Sequence, residues 1–308
     1  MGVGHGVQPA LPVTAAQGYR RRMLAVLAII VVVMAVEVVG AVVSGSLALF
    51  ADAGHMLADG FGVGLALLAT VIAARPATDR TTFGLQRAEI LAALVNAVIV
   101  AVIGGLAIVG GVRRLFDPAD VESEIMLLVA LVGLLGNVVA LVLLRSGRQA
   151  SLNVRGAYLE VLGDTLGSLA VVAAAFVIMG TGFLRADAIV SILIGVMIVP
   201  RAWALLRDVV NVLLEATPRG VDLEDVRRHL LEAPGVVDVH DLHAWTITSG
   251  VPVLSAHVVV AADVAADCGQ GSILDGLHEC LAGHFDIEHS TFQLEPEGHV
   301  EHEHAWHA

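Results

Sequence analysis

The sequence predicts an α-helical membrane protein, six transmembrane helices followed by a C-terminal cytoplasmic α/β domain with the order α-β-β-α-β. Three observations carry this. The 308 residues are 57% hydrophobic and 15% charged, with a mean hydropathy of +0.82, whereas a soluble domain carries roughly 25% charged residues. Apolar runs near residues 23–43, 49–73, 88–112, 125–144, 157–179 and 186–206 each approach the roughly 20 residues needed to cross a bilayer. Beyond about residue 207 the pattern becomes that of a small soluble domain. The expected organisation is an N-terminal tail over residues 1–22, a membrane domain over 23–206, an α/β domain over 207–297 and a His-rich tail over 298–308.

The first run follows Arg20, Arg21 and Arg22. It is too long for a signal peptide and no small-residue cleavage site follows, so it stays as a helix. Arg75, Arg80 and Arg87 lie between the second and third runs, and Arg145, Arg148 and Arg155 between the fourth and fifth. Positive charge marks cytoplasmic loops. An even number of spans then places both termini inside, in a multi-pass protein of the cytoplasmic membrane whose immediate partner is lipid. The opposite connections hold "SGSLA", an acidic segment with Asp117, Asp120, Glu122 and Glu124, and a short turn around Arg185 and Asp187.

In the C-terminal region "VDLEDVRRHLLEA" reads as a helix with Asp222 as N-cap and Pro234-Gly235 as its stop. "VVDVHDLHAWTIT" and "VPVLSAHVVV" read as strands joined through Ser249-Gly250. A helix near 270–284 and a strand near 290–295 follow. A sheet containing an antiparallel pair, with helices on one face, would bury this pattern.

The formal charge of −13 says little about partners, because many carboxylates fall in the last third and every basic residue is Arg. Nucleic-acid binding has no support. Cys268 and Cys280 form neither a metal-type pair nor a disulfide framework, and are expected as reduced thiols.

The chemistry concentrates in "LFADAGHMLADGF", where a spanning segment holds Asp52, His55 and Asp59. A carboxylate at the centre of a spanning helix costs roughly 2.5 to 3.5 kcal/mol on insertion scales, so such groups tend to face a protein interior or a polar path. Residues three and four apart share a helical face. The fifth run repeats the device, with Glu160 and Asp164 four apart in "YLEVLGDTLGS". Two such pairs supply one imidazole and three carboxylates, and a divalent cation between them would neutralise charge that is otherwise expensive in lipid. Asp52 lies nearer the end of its run and is an accessory candidate. Glu37, Asn96 and Asn137 are better read as hydrogen-bonding groups between packed helices.

"GSLALFADAGHMLADG", "RGAYLEVLGDTLGS" and "GVVDVHDLHAWTITSG" with "SAHVVV", on six spans, resemble the cation diffusion facilitator family in its bacterial zinc/cadmium/cobalt branch. The likeness runs from about residue 20 to 297. It implies a homodimeric antiporter, not an enzyme, that exports Zn²⁺ or a similar ion from the cytosol against protons, with a metallochaperone-like cytoplasmic domain. The family's His-x-x-x-Asp pattern on the second and fifth spans falls on His55, Asp59, Glu160 and Asp164. Glu160 departs from it, since the branch places His there. Three oxygen donors and one nitrogen form a harder set than two of each, which favours Mn²⁺, Fe²⁺ or Co²⁺ relative to Zn²⁺ and Cd²⁺.

The resemblance also implies a cytoplasmic metal site on His240, His257 and Glu295, with Gln293 standing where the family often has a further His. His243 and His289 are weaker candidates, and His278 and His284 are left as ordinary surface residues. Such a site would sense cytosolic metal and draw the domains of a dimer together. The tail residues His299, His302, His304 and His307 suit loose metal capture. No resident cofactor is expected, only the transported ion and its counter-protons. A metal sensor or channel without proton exchange is the alternative class, and a strongly binding buried cluster argues against a pore.

Overall fold

The computed structural model describes residues 13–145, 152–261, 269–287 and 289–299. Six helices come first: α1 (Val13–Ser44), α2 (Leu47–Ala73), α3 (Ala88–Phe116), α4 (Ser123–Arg145), α5 (Leu152–Thr181) and α6 (Arg185–Leu213). All six are long and apolar enough to cross a membrane. Helix α7 (Leu223–Leu231), strands β1 (Val236–Thr246) and β2 (Pro252–Val260), helix α8 (Gly269–Phe285) and strand β3 (His289–Pro296) complete the order that the sequence predicts.

Two element ends differ most from expectation. Helix α1 begins at Val13, inside the expected N-terminal tail. Nothing after Pro12 interrupts a helix, and polar residues extend the apolar span without breaking it. Helix α6 runs on to Leu213, past the expected end at residue 206, because "RDVVNVLLEAT" holds no breaker before Pro218. Cys268, Arg148, His302, His304 and His307 lie outside the described residues.

The chain divides into two compact units. The first runs to Val63 and resumes over Asn96–Trp203. Its core joins Leu49 of α2, Met126 and Ala130 of α4, Val171 and Ala175 of α5 and Ile194 of α6, all buried. Lipid tails are as apolar as these side chains, so close backbone approach and interhelical polar contacts must hold the helices together. The α3–α6 pair shows this: a Cβ on Gly195 would stand 2.8 Å from the Gly104 carbonyl oxygen.

The second unit comprises Gly64–Val95 and the chain from Ala204 onward. Its sheet has the order β1-β2-β3, with β1 antiparallel and β3 parallel to β2. Alternate strand residues Leu254, Ala256 and Val258 face a core shared with Val226 and Leu230 of α7 and Leu277 and Leu281 of α8, so both helices cover one face. Asp222 caps α7 by accepting the Glu224 N–H at 3.0 Å, as its sequence predicts. Three contacts tie the segment before and at the start of α3 to later residues of this unit. The Thr248 hydroxyl donates to Glu89 Oε2 at 2.9 Å, Arg87 pairs with Glu215 at 2.8 Å, and the Phe83 and His289 rings meet edge to face at 5.4 Å.

Candidate metal sites

A single helical turn separates His55 from Asp59 on α2, and another separates Glu160 from Asp164 on α5. Tertiary packing sets the two pairs against each other. His55 Nε2 lies 3.4 Å from Asp59 Oδ2 and 3.7 Å from Asp164 Oδ1. His55, Glu160 and Asp164 line a cavity of about 130 Å³ together with Asp52, Gly163, Gly167 and residues of α6. Asp164 Oδ1 is buried without a hydrogen-bond donor among the described residues. An anionic oxygen beside an imidazole nitrogen, at the lining of this cavity, is a donor set suited to a small divalent cation.

The α6 side of this cavity contains a residue that the sequence pattern does not single out. Arg201 of α6 places a guanidinium nitrogen 2.8 Å from Glu160 Oε1. A cation within the apolar run "IVPRAW" was the available signal, since intramembrane charges are rarely without a partner.

Asp52 is fully within the protein and is turned to a different partner. Its Oδ2 accepts the Ser168 hydroxyl at 3.2 Å, and Ser168 Oγ accepts from Asn137 Nδ2 at 3.2 Å. Asn137 therefore bonds between helices as expected. Glu37 does not: it is completely buried, and neither carboxyl oxygen has a hydrogen-bond partner among the described residues. Asn96 packs its amide against Gly62 rather than bonding through Oδ1.

In the second unit, strand register brings three distant residues into one place. His240 is opposite His257 across the antiparallel ladder, and His257 is opposite Gln293 across the parallel one. Glu295, two positions on, shares the Gln293 face. His257 Nδ1 lies 2.9 Å from Glu295 Oε1, and His240 Nε2 lies 3.4 Å from Glu295 Oε2. His240, His257 and Glu295 each offer a ligand atom within 4.8 Å of the other two. Gln293 donates to Glu295 Oε1 at 2.8 Å, so it orients the acid.

The β1 register is irregular between His240 and His243, where Asp241 takes a φ of 46°. Asp241 thereby reaches both neighbours, with oxygens 3.6 Å from His257 Nε2 and 2.7 Å from His243 Nε2. No spacing in the sequence singles out Asp241. His243 itself is mostly exposed, and His289 stands at the start of β3 against Phe83, six positions before Glu295. His278 bonds through Nδ1 to the Leu274 carbonyl and His284 to that of Cys280, as helix-surface histidines do.

Comparison with known proteins gives two family matches. The model described as cation efflux transmembrane domain matches residues 23–214, and that described as cation efflux protein, cytoplasmic domain, matches residues 218–297. The metal cation efflux system protein CzcD of Cupriavidus metallidurans is 43% identical over 278 residues, 90% of this chain and 87% of that protein. The zinc transporter ZitB of Escherichia coli is 42% identical over 277 residues, 89% of this chain and 87% of that protein. A Bacillus subtilis protein named as a cadmium, cobalt and zinc/H⁺-K⁺ antiporter is 35% identical over 268 residues, 86% of each chain.

Proposed function

Since the chain belongs to the cation efflux family, we propose that His55, Asp59, Glu160 and Asp164 form the site through which it moves its ion. The protein is a divalent metal cation efflux transporter of the inner membrane, multi-pass and not an enzyme. The observation that carries the assignment is the approach of His55 Nε2 to carboxylates of two different helices, 3.4 Å to Asp59 and 3.7 Å to Asp164. The cargo is Zn²⁺ or a related transition-metal ion such as Cd²⁺ or Co²⁺, for which nitrogen and carboxylate oxygen are both acceptable donors.

Exchange with protons follows from the donors themselves. A carboxylate or imidazole lone pair holds either the metal or a proton, so binding one releases the other. With the site open to the cytosol, metal displaces protons. Open to the other side, the site is reprotonated and the metal leaves. Rocking of one helix group against another around a fixed site would supply the alternation. In this reading both termini are cytoplasmic, following the arginine distribution.

The His240, His257 and Glu295 group serves as a separate cytosolic metal site, and the chain acts as a homodimer through its C-terminal domain. The domain borders of this reading are 23–206 for the membrane part and 207–297 for the α/β part, with α6 bridging them.

Reconstitution into vesicles tests the transport site. Asp59→Asn and Asp164→Asn keep side-chain shape but remove the anionic donor, and each should abolish metal-driven proton movement while the protein remains folded. Normal exchange by both variants would overturn the assignment.

A further inference from the structure

Among the described residues, Glu160 is the one member of the membrane cluster that is paired with an arginine of the protein's own. Its Oε1 lies 2.8 Å from Arg201. Arg201 lies on α6, and with Glu160, His55 and Asp164 it lines the same cavity. A guanidinium stays charged at any physiological pH and has five donors but no acceptor. It can never be a ligand. It can only compete with a metal ion for a carboxylate, or repel that ion.

The charges make the competition consequential. In formal charges, with His55 neutral, the three carboxylates and Arg201 sum to minus two, the value that two aspartates and two imidazoles would have. Arg201 therefore offsets the extra negative charge that Glu160 brings. An entering divalent cation meets a donor whose oxygen is already committed, and a leaving one has a replacement within 2.8 Å of the carboxylate it gives up.

We propose that Arg201 is a specificity-determining residue, a tethered cation that takes Glu160 back from the metal and so weakens binding, favours release and blunts the preference for hard ions. This rests on the transport-site reading above. Arg201 touches the ligand and not the cargo. Its influence is greatest on ions that depend most on a third carboxylate, Mn²⁺ before Zn²⁺, because hard cations favour oxygen donors and softer ones do not require them.

The test is initial-rate uptake of Zn²⁺ and Mn²⁺ into vesicles carrying the full-length protein, comparing wild type, Arg201→Gln, Arg201→Lys, Glu160→Gln and the Arg201→Gln/Glu160→Gln double variant. Arg201→Gln should lower KM for both ions and lower kcat, as release slows. The Mn²⁺/Zn²⁺ ratio of kcat/KM should rise by roughly two- to fivefold, the scale of a solvent-accessible ion pair. Arg201→Lys, which keeps the charge on a shorter-reaching donor, should restore most of the wild-type ratio. In the Glu160→Gln background the same Arg201→Gln change should leave the ratio where it was, since the group it acts through is gone.

An unchanged ratio in Arg201→Gln, or an equal shift with and without Glu160, overturns the proposal. Asp164→Asn in the same vesicles separates the two readings. If it abolishes uptake while Arg201→Gln leaves the ratio unchanged, the arginine inference alone fails. If Asp164→Asn transports normally, the site reading fails first.

Discussion

Asp187, the third residue of α6, accepts the hydroxyl proton of Ser46 at 2.6 Å. The same carboxylate accepts the backbone N–H groups of Leu47 and Ala48 at 2.9 and 3.0 Å, and Arg114 donates to it at 3.1 Å. Ser46 in turn accepts the Leu49 N–H at 3.1 Å. A residue 141 positions away thus caps the helix that carries Asp52, His55 and Asp59. Helix N-termini have orphan donors and a partial positive charge, and a carboxylate satisfies both.

Asp187→Ala should therefore destabilise the protein by about 2 kcal/mol, the range for charge-assisted bonds and lost caps. Asp187→Asn should cost less, because the amide oxygen can still accept. Thermal unfolding in detergent would show the order, wild type above Asn above Ala. Equal melting temperatures would mean the cap contributes nothing.

Gly133 is packed against a buried acid: a Cβ there would stand 2.1 Å from Glu37 Oε1. Gly133→Ala should destabilise by about 1 to 3 kcal/mol through overpacking. Shortening the opposing side chain with Glu37→Ala in the same chain should recover part of the loss, a coupling that two independent defects would not show. Melting temperatures of the two single variants and the pair decide it, and strict additivity would count against the contact.

The trio of His240, His257 and Glu295 should bind one metal ion per chain apart from the membrane site. His257→Ala should abolish that binding in a chelator-competition titration. Transport should continue, with a higher metal concentration needed for half-maximal rate and the same order of ions preferred. A changed order of ions would mean that this site takes part in selection.

The Cys280 thiol is pushed up from its ordinary range, first by burial and then by the nearby charge of Glu232. The thiolate is the reactive form. In a Cys268→Ser background, alkylation by iodoacetamide at neutral pH should be slower than that of a free thiol. Its rate should climb at a higher pH than the ordinary thiol value of about 8.5. Glu232→Gln removes a charge that opposes ionisation and should speed the reaction. A rate matching free cysteine, unmoved by Glu232→Gln, would contradict the structural environment.

Much of this protein follows from local pattern. The six spans are legible because a bilayer imposes one length and one polarity on every helix that crosses it. The α-β-β-α-β order is legible because Asp222, Pro234-Gly235 and Ser249-Gly250 punctuate it chemically. The His55/Asp59 and Glu160/Asp164 pairs are visible for a related reason: a 3.6-residue turn places positions four apart on one face whatever the rest of the chain does. Tertiary structure alone decided what those faces meet. That Glu160 is held by Arg201, that Asp52 accepts from Ser168, that Glu37 has no hydrogen-bond partner among the described residues, and that Asp187 caps α2 all depend on helix placement. Asp241 reaches His257 because β1 departs from regular register at that residue. Period and propensity act over a few residues, whereas these contacts join positions from 16 to 141 apart, whose distance is set by packing and not by any spacing in the sequence.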